Sequence, residues 1–444
     1  MRARGSRPIV VSAGAMGCAA LMIAYQVASK AARDTLFLSN FDFARLPAMV
    51  AVASVVSIGV ALIATRAIAT YGPARVIPAG FAVSAVFTLG EWWLTTRSAS
   101  VAAIVVYLHI AALAPALISG FWSIISERFD PRSAKRAIGR IAGFGTLGGL
   151  VGGIVAERIT SWQGVSATLP ALALMHACCA GLLFRMSAAA TISPASAVMT
   201  MSAAQAVRRL VATSYLRNLA LLIAGTSVSA ALLDFVFKAQ AIRVALPGAD
   251  LMRVFSAFYT LVALCTFAIQ TLATRVTLER AGLARAIGSL PGSVVFGGIA
   301  AALVPGPWSV GIVRGIEAVL RGSLFRAGYE LLYTPIPAAE KRATKTLVDV
   351  GCDRLGEAIG AGLTMGVIAI NPGGVTLGLL GLAVIVALVM FAVVTRLQHG
   401  YVMSLEAGLR AGSLNLATLD VEDATTRRTL ERSLGGLDFR TLQS

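Results

Sequence analysis

Ala64-Thr65-Arg66, followed by Gly72 and Arg75, recurs as Ala273-Thr274-Arg275, followed by Gly282 and Arg285, about 208 residues further along the chain. Two other matches keep nearly the same offset and the same order. Lys30 ends one apolar stretch and Lys238 ends another (238 − 30 = 208). Pro131-Arg132-Ser133-Ala134-Lys135-Arg136 returns as Pro337-Ala338-Ala339-Glu340-Lys341-Arg342. A chain written twice, with charges at corresponding points of apolar helices, implies two half-bundles around a polar centre. Transport proteins are commonly built that way.

Composition narrows the class. The chain is 57% hydrophobic and 13% charged, whereas soluble domains average roughly 25% charged. Apolar runs long enough to cross a hydrocarbon core fall near 9–31, 43–65, 75–95, 100–123, 138–158, 166–186, 215–240, 252–273, 283–304, 308–328, 344–370 and 373–396. In lipid the backbone must satisfy its own hydrogen bonds, so these are helices. The expected fold is an all-α integral membrane bundle of about twelve helices in two sets of six. Its segments are an N-terminal bundle (1–186), a cytoplasmic linker (187–214), a C-terminal bundle (215–396) and a cytoplasmic tail (397–444). The opening Met1-Arg2-Ala3-Arg4 reads as the flank of an uncleaved first helix rather than a leader, because the apolar run behind it is too long.

Net charge is +17, and its distribution argues for a membrane and against nucleic acid. With a cytoplasmic N-terminus, 28 of the 38 Lys and Arg fall on the cytoplasmic side and eight on the other. That bias is the positive-inside rule, and it places both termini in the cytoplasm of a cell-membrane protein. All five cysteines lie in predicted spans, which suggests neither a disulfide framework nor a metal site. Gly143 to Gly149 lacks the Gly-Lys-Ser/Thr of a phosphate loop, and no nucleophile elbow or metal-spaced cluster accompanies it. The expectation is a non-enzyme without cofactor or metal, a monomer whose partners are a small solute and the lipid bilayer.

The charges inside the spans carry the functional reading, because each costs about 2.5–3.5 kcal/mol at the bilayer centre on insertion scales. Gln26, Lys30 and Arg33 share one face of the first helix, with Asp34 next. Asp234 and Lys238 form an acid–base pair at i,i+4 in the seventh. Arg314, Glu317 and Arg321 recur at three and four in the tenth, and Asp349, Asp353, Arg354 and Glu357 crowd the eleventh. The candidate binding residues are Lys30, Arg33, Asp234, Lys238, Arg314, Glu317, Asp353 and Glu357. The bland alternatives are snorkelling of the end-of-helix cations to headgroups and internal structural pairs for the rest. Glu91, His109 and His176 read as satisfied structural residues. Basic residues at the loop ends are candidate gates: Arg66, Arg75, Lys135, Arg136, Arg275, Arg285, Lys341 and Arg342. Glycine ridges at Gly145, Gly149 and Gly153, at Gly311 and Gly315, and at Gly356 and Gly360 allow helices to approach closely.

Several segments resemble the ADP/ATP carriers of plastids and intracellular bacteria. Arg33-Asp34-Thr35-Leu36 looks like the close of that family's first helix. Phe121-Trp122 with Glu127 and Ala134-Lys135-Arg136 looks like its connection between helices 4 and 5. Tyr215-Leu216-Arg217-Asn218-Leu219 with Asp234 and Lys238 is similar to its helix 7. Glu330 to Pro337 and Val348-Asp349-Val350-Gly351-Cys352, then Leu355-Gly356, match its helix 10–11 region. The resemblance implies a major-facilitator-like fold and exchange of ATP for ADP, with Lys30, Arg33 and Lys238 facing phosphates. The chain differs from the family in having His109 and Ile110 where an acidic residue stands in helix 4, and Glu357 where a lysine follows Leu-Gly. An anionic solute, a nucleotide or another, is the primary expectation. The alternatives are proton-coupled movement of a drug, peptide or lipid with Glu91, Asp234 or Glu357 titrating, and a non-transporting scaffold or sensor acting through its tail.

Overall fold

The computed structural model describes residues 6–128, 131–188, 203–336, 344–345 and 347–410. Among these there is helix and connecting turn, with no strand. The long helices in order are α1 (Ser6–Asn40), α2 (Leu46–Tyr71), α3 (Pro73–Thr95), α4 (Ala99–Arg128), α5 (Pro131–Gln163) and α6 (Thr168–Ala188). A short helix, α7 (Ala203–Ala212), lies in the expected linker and leads into α8 (Ser214–Val244) and α9 (Ala249–Leu272). After α10 (Thr274–Ala281) come α11 (Leu283–Leu303), α12 (Pro307–Leu320), α13 (Arg326–Leu331), α14 (Asp353–Ile370) and α15 (Val375–Arg410). Two π-helical turns, Arg321–Phe325 and Leu347–Cys352, interrupt the sequence of regular helices. Such turns are rare and occur mostly at functional places.

Among the described residues, eight helical segments are long and apolar enough to cross a bilayer: Phe43–Tyr71, Pro73–Thr95, Ala99–Ile125, Val165–Met186, Ser214–Val244, Ala249–Leu272, Leu283–Leu303 and Pro372–Leu405. The described residues of the other four expected spans are also helical, but in shorter helices or ones richer in charge and glycine. α12 has 14 residues, and α14 carries Asp353, Arg354 and Glu357 within 18. Helices that turn a polar face inward lose mean apolarity for that reason. Trp93, Trp162 and Trp308 stand exposed at helix ends, the position aromatic anchors take at headgroup level. This is a multi-pass membrane protein.

The duplication is legible in the backbone. Pro73 and Leu283 open helices 210 residues apart (283 − 73), and each follows a glycine with φ of +80°, Gly72 and Gly282. A side chain there would be strained, so glycine holds the same corner in both halves. The copies differ in one respect. α2 runs unbroken through Ala64-Thr65-Arg66, while the matching triplet sits at the break between α9 and α10.

Contacts divide the chain into two compact units. The first comprises 1–195, 237–267 and 361–369; the second comprises 196–236, 268–360 and 370–444. In the first, α1 packs against α5, α6 and α4, and α3 against α6 and α4. Its apolar core gathers Cys18, Met22, Phe81, Phe121, Ile125 and Leu183. In the second, α11 packs on α15, and Leu219, Leu290, Tyr329, Tyr333 and Tyr401 are central to the core. α15 continues past Leu397, where a polar tail is expected, because Leu397, Tyr401 and Leu405 are buried there at one-turn spacing. The expected tail beyond residue 410 lies outside the described residues.

The α1–α5 contact rests on glycine. A Cβ on Gly148 would lie 2.0 Å from the Ala20 carbonyl oxygen, and one on Gly152 2.4 Å from that of Ala24. The expected ridge at Gly145, Gly149 and Gly153 is on the correct helix and faces Ile23, Val27 and Thr260 side chains. The closest backbone approach belongs to the row one residue earlier. In the second unit a Cβ on Gly356 would lie 2.4 Å from the Ala224 carbonyl oxygen, and one on Gly360 2.7 Å from the Ala231 Cβ.

Candidate functional site

Each unit holds a cluster of buried ions. In the first, Asp34 near the end of α1 is fully buried and accepts from three residues. Arg33 places Nε and Nη2 each 2.9 Å from Oδ1. Lys238 of α8 brings Nζ to 3.1 Å from Oδ2, and the Tyr259 hydroxyl of α9 donates to the same oxygen at 2.6 Å. Arg33 also lies over the Tyr107 ring of α4, 4.6 Å from its centroid. Lys238 is 1% exposed, which leaves no room for snorkelling. A lysine at that depth persists only where its charge is paired and hydrogen-bonded. Lys30, one turn before Asp34 on α1, is partly exposed. Tyr259→Phe removes one donor to a charged acceptor and is expected to cost about 1.5–3 kcal/mol, read as a lower denaturation midpoint; an unchanged midpoint would remove Tyr259 from the cluster.

In the second unit, Arg314 forks between two acids. Its Nε and Nη2 lie 3.2 and 3.1 Å from Asp234 Oδ1, and its Nη1 donates to Glu317. Arg321 donates from Nε to Glu317 Oε1 at 2.8 Å and from Nη2 to the Thr226 carbonyl. Glu317 is 1% exposed, held by cations three and four residues away, as its helical spacing implies. A cavity of about 10 Å3 opens beside Glu317 and Arg321, lined also by Thr226, Ser229 and Pro291. The Ser229 hydroxyl is buried there without a protein partner, and the space suits one water. Nearby in sequence, Ser227 donates to Asp353, and Arg354 pairs with Glu357.

Spacing along α8 puts Asp234 and Lys238 on one face, and the structure also gives each a partner remote in sequence, Arg314 for one and Asp34 for the other. Asp34 and Tyr259, at the heart of the first cluster, are missing from the sequence-based set. Asp34 adjoins Arg33 and could have been included; nothing in the sequence marks Tyr259. Of the candidate gates, Arg66, Arg75, Arg275 and Arg285 are exposed, with Arg275 paired to Glu279 at 2.6 Å. Lys135 and Arg136 fall in α5, where their side chains are outside the description, and Lys341 and Arg342 lie outside the described residues.

No family model matches the chain, and no curated protein matches it. Solved structures do. It is similar to a D-xylose–proton symporter at 14% identity, covering 86% of this chain and 97% of that one, with TM-score 0.59. A nucleoside transporter, NupG, gives 10% identity, 88% and 99% coverage and TM-score 0.63. The fold is major-facilitator-like. The human organic anion transporter MFSD10 (13% identity, 88% and 100% coverage, TM-score 0.59) shares it. So does a bacterial homologue of the human lysosomal transporter Spinster (14% identity, 92% and 98% coverage, TM-score 0.60). All four are transporters or a transporter's homologue. The resemblance to ADP/ATP carriers finds no counterpart among them.

Proposed function

We propose that this chain is a carrier of an anionic small solute, working by alternating access in the cell membrane with both termini cytoplasmic. The observation that carries the reading is Lys238, 1% exposed and held with Arg33 on the fully buried Asp34 carboxylate. Cations kept dry on a carboxylate are poised to exchange it for a solute's phosphate or carboxylate. The first helices of the two halves carry Lys30 and Arg33 beside Asp34, and Lys238 one turn after Asp234. An organic anion transporter and a nucleoside transporter among the similar structures support a nucleotide-like solute without singling it out. Arg314, Glu317, Asp353 and Glu357 would tune the field through pairs that break and reform. The loop-end cations Arg66, Arg75, Lys135, Arg136, Arg275, Arg285, Lys341 and Arg342 would latch the cytoplasmic ends. The unit that transports is expected to be the monomer.

The test begins with thermal denaturation of the purified protein against ATP, ADP, phosphorylated sugars and dicarboxylates. A ligand at 100 times its Kd stabilises by about 2.7 kcal/mol. Uptake of the compound that shifts the midpoint is then measured in proteoliposomes. Lys238→Ala removes a charge-assisted contact of about 1.5–3 kcal/mol and should lower uptake about tenfold or more. Uptake equal to wild type would take Lys238 out of the solute path.

A further inference from the structure

A second buried polar system in the first unit lies outside the proposed anion site. Ser84, Thr88 and Glu91 follow at four and three on α3, so they share a face. His109 of α4 lies 2.9 Å from Glu91 Oε1 through Nδ1 and 2.9 Å from Ser84 Oγ through Nε2. The same Ser84 oxygen lies 2.8 Å from Nδ1 of His176 on α6. Tyr25 of α1 stacks on the His176 ring at 3.4 Å between centroids. Glu91, Ser84, His109 and His176 are each 9% exposed or less, and Glu91 Oε2 is buried with no hydrogen-bond partner.

Counting hydrogens decides what this row can do. With Glu91 ionised and both imidazoles neutral, every bond has one direction. His109 Nδ1–H donates to Glu91, the Ser84 hydroxyl donates to His109 Nε2, and His176 Nδ1–H donates to Ser84. His176 Nε2 is then an open acceptor, and the row encloses a net negative charge with one bare carboxylate oxygen. Burying such an uncompensated charge is strongly unfavourable. A proton received at His176 Nε2 removes that cost without breaking a contact. The Nδ1 proton passes to Ser84, the hydroxyl proton to His109 Nε2, and the His109 Nδ1 proton to Glu91 Oε1. All three bonds survive with their polarity reversed, and the row gains one proton and becomes neutral.

We propose that Glu91 is a proton-binding site, loaded and unloaded through His176, Ser84 and His109. The proposal does not depend on the solute. The groups around the row come from every helix packed on it. α1 presents Tyr25, with Lys30 about one and a half turns further along. α4 and α6 present the two imidazoles, and the charged Arg66 of α2 is exposed. None of these named neighbours is a second carboxylic acid.

The test is infrared difference spectroscopy of the purified full-length protein between pH 5 and pH 9. The expected result is a carboxylic-acid carbonyl band that disappears as pH rises and is missing from Glu91→Gln. An acid band unchanged across the range would mean a permanently neutral pair, and no band in this region at any pH would mean a permanent ion pair. Either result overturns the site, as does a band that persists in Glu91→Gln. The path is tested in His176→Phe, which leaves Glu91 and His109 in place. Exchange of the acid proton after transfer to heavy water should slow at least tenfold, and an unchanged rate would overturn the relay. Should Glu91→Gln fail to fold, wild-type titration and exchange in Ser84→Ala decide the same two points.

Discussion

Asp34→Ala is expected to destabilise this protein by about 3–5 kcal/mol, the cost of removing one partner from a buried ionic cluster. The carboxylate is 0% exposed and accepts from Arg33, Lys238 and Tyr259. Truncation removes the acceptor of all three at once. Lys238, itself 1% exposed, then loses the carboxylate at its ammonium in a medium where hydration cannot replace it. Asp34→Asn keeps the shape and one acceptor oxygen, so its loss should be smaller. The double variant Asp34→Ala with Lys238→Met should recover part of the deficit, because removing a buried pair together is often neutral. Chemical denaturation in detergent micelles measures all three. An Asp34→Ala midpoint at the wild-type value would mean that the cluster is solvated.

Gly148→Ala is expected to disrupt the α1–α5 contact. The added methyl would sit 2.0 Å from the Ala20 carbonyl oxygen and 2.6 Å from its Cα. Overpacking typically costs about 1–3 kcal/mol where side chains can turn aside. Here the obstacle is backbone, and no rotamer relieves it. α1 must move off α5, and α1 carries Arg33, Asp34 and Tyr25. Monodisperse yield and ligand-free melting should both fall. Gly181→Ala, whose methyl meets nothing within 4 Å, is the matched control and should behave as wild type. Equal melting of the two variants would show that the close approach is dispensable.

The helical architecture could be read from the chain because lipid leaves the backbone few choices. Apolar runs of spanning length must become helices. The glycine corners at Gly72 and Gly282 belong to the sequence repeat and share a φ of +80°. Pairs within one helix were equally accessible, since spacing of three or four fixes a face. Arg314, Glu317 and Arg321 are joined as that spacing implies.

Local spacing therefore determined the helices, their repeat and the face each charge occupies. Which charges meet was decided by packing. Tyr259 reaches Asp34 across 225 residues, and Asp234 reaches Arg314 across 80. His109 and His176 look solitary along the chain, yet both find Ser84. The period of a helix fixes angle about its own axis, but a contact between helices depends also on how far one slides and turns against the next. That is set by the summed fit of many apolar and glycine surfaces, which no single residue in the sequence announces.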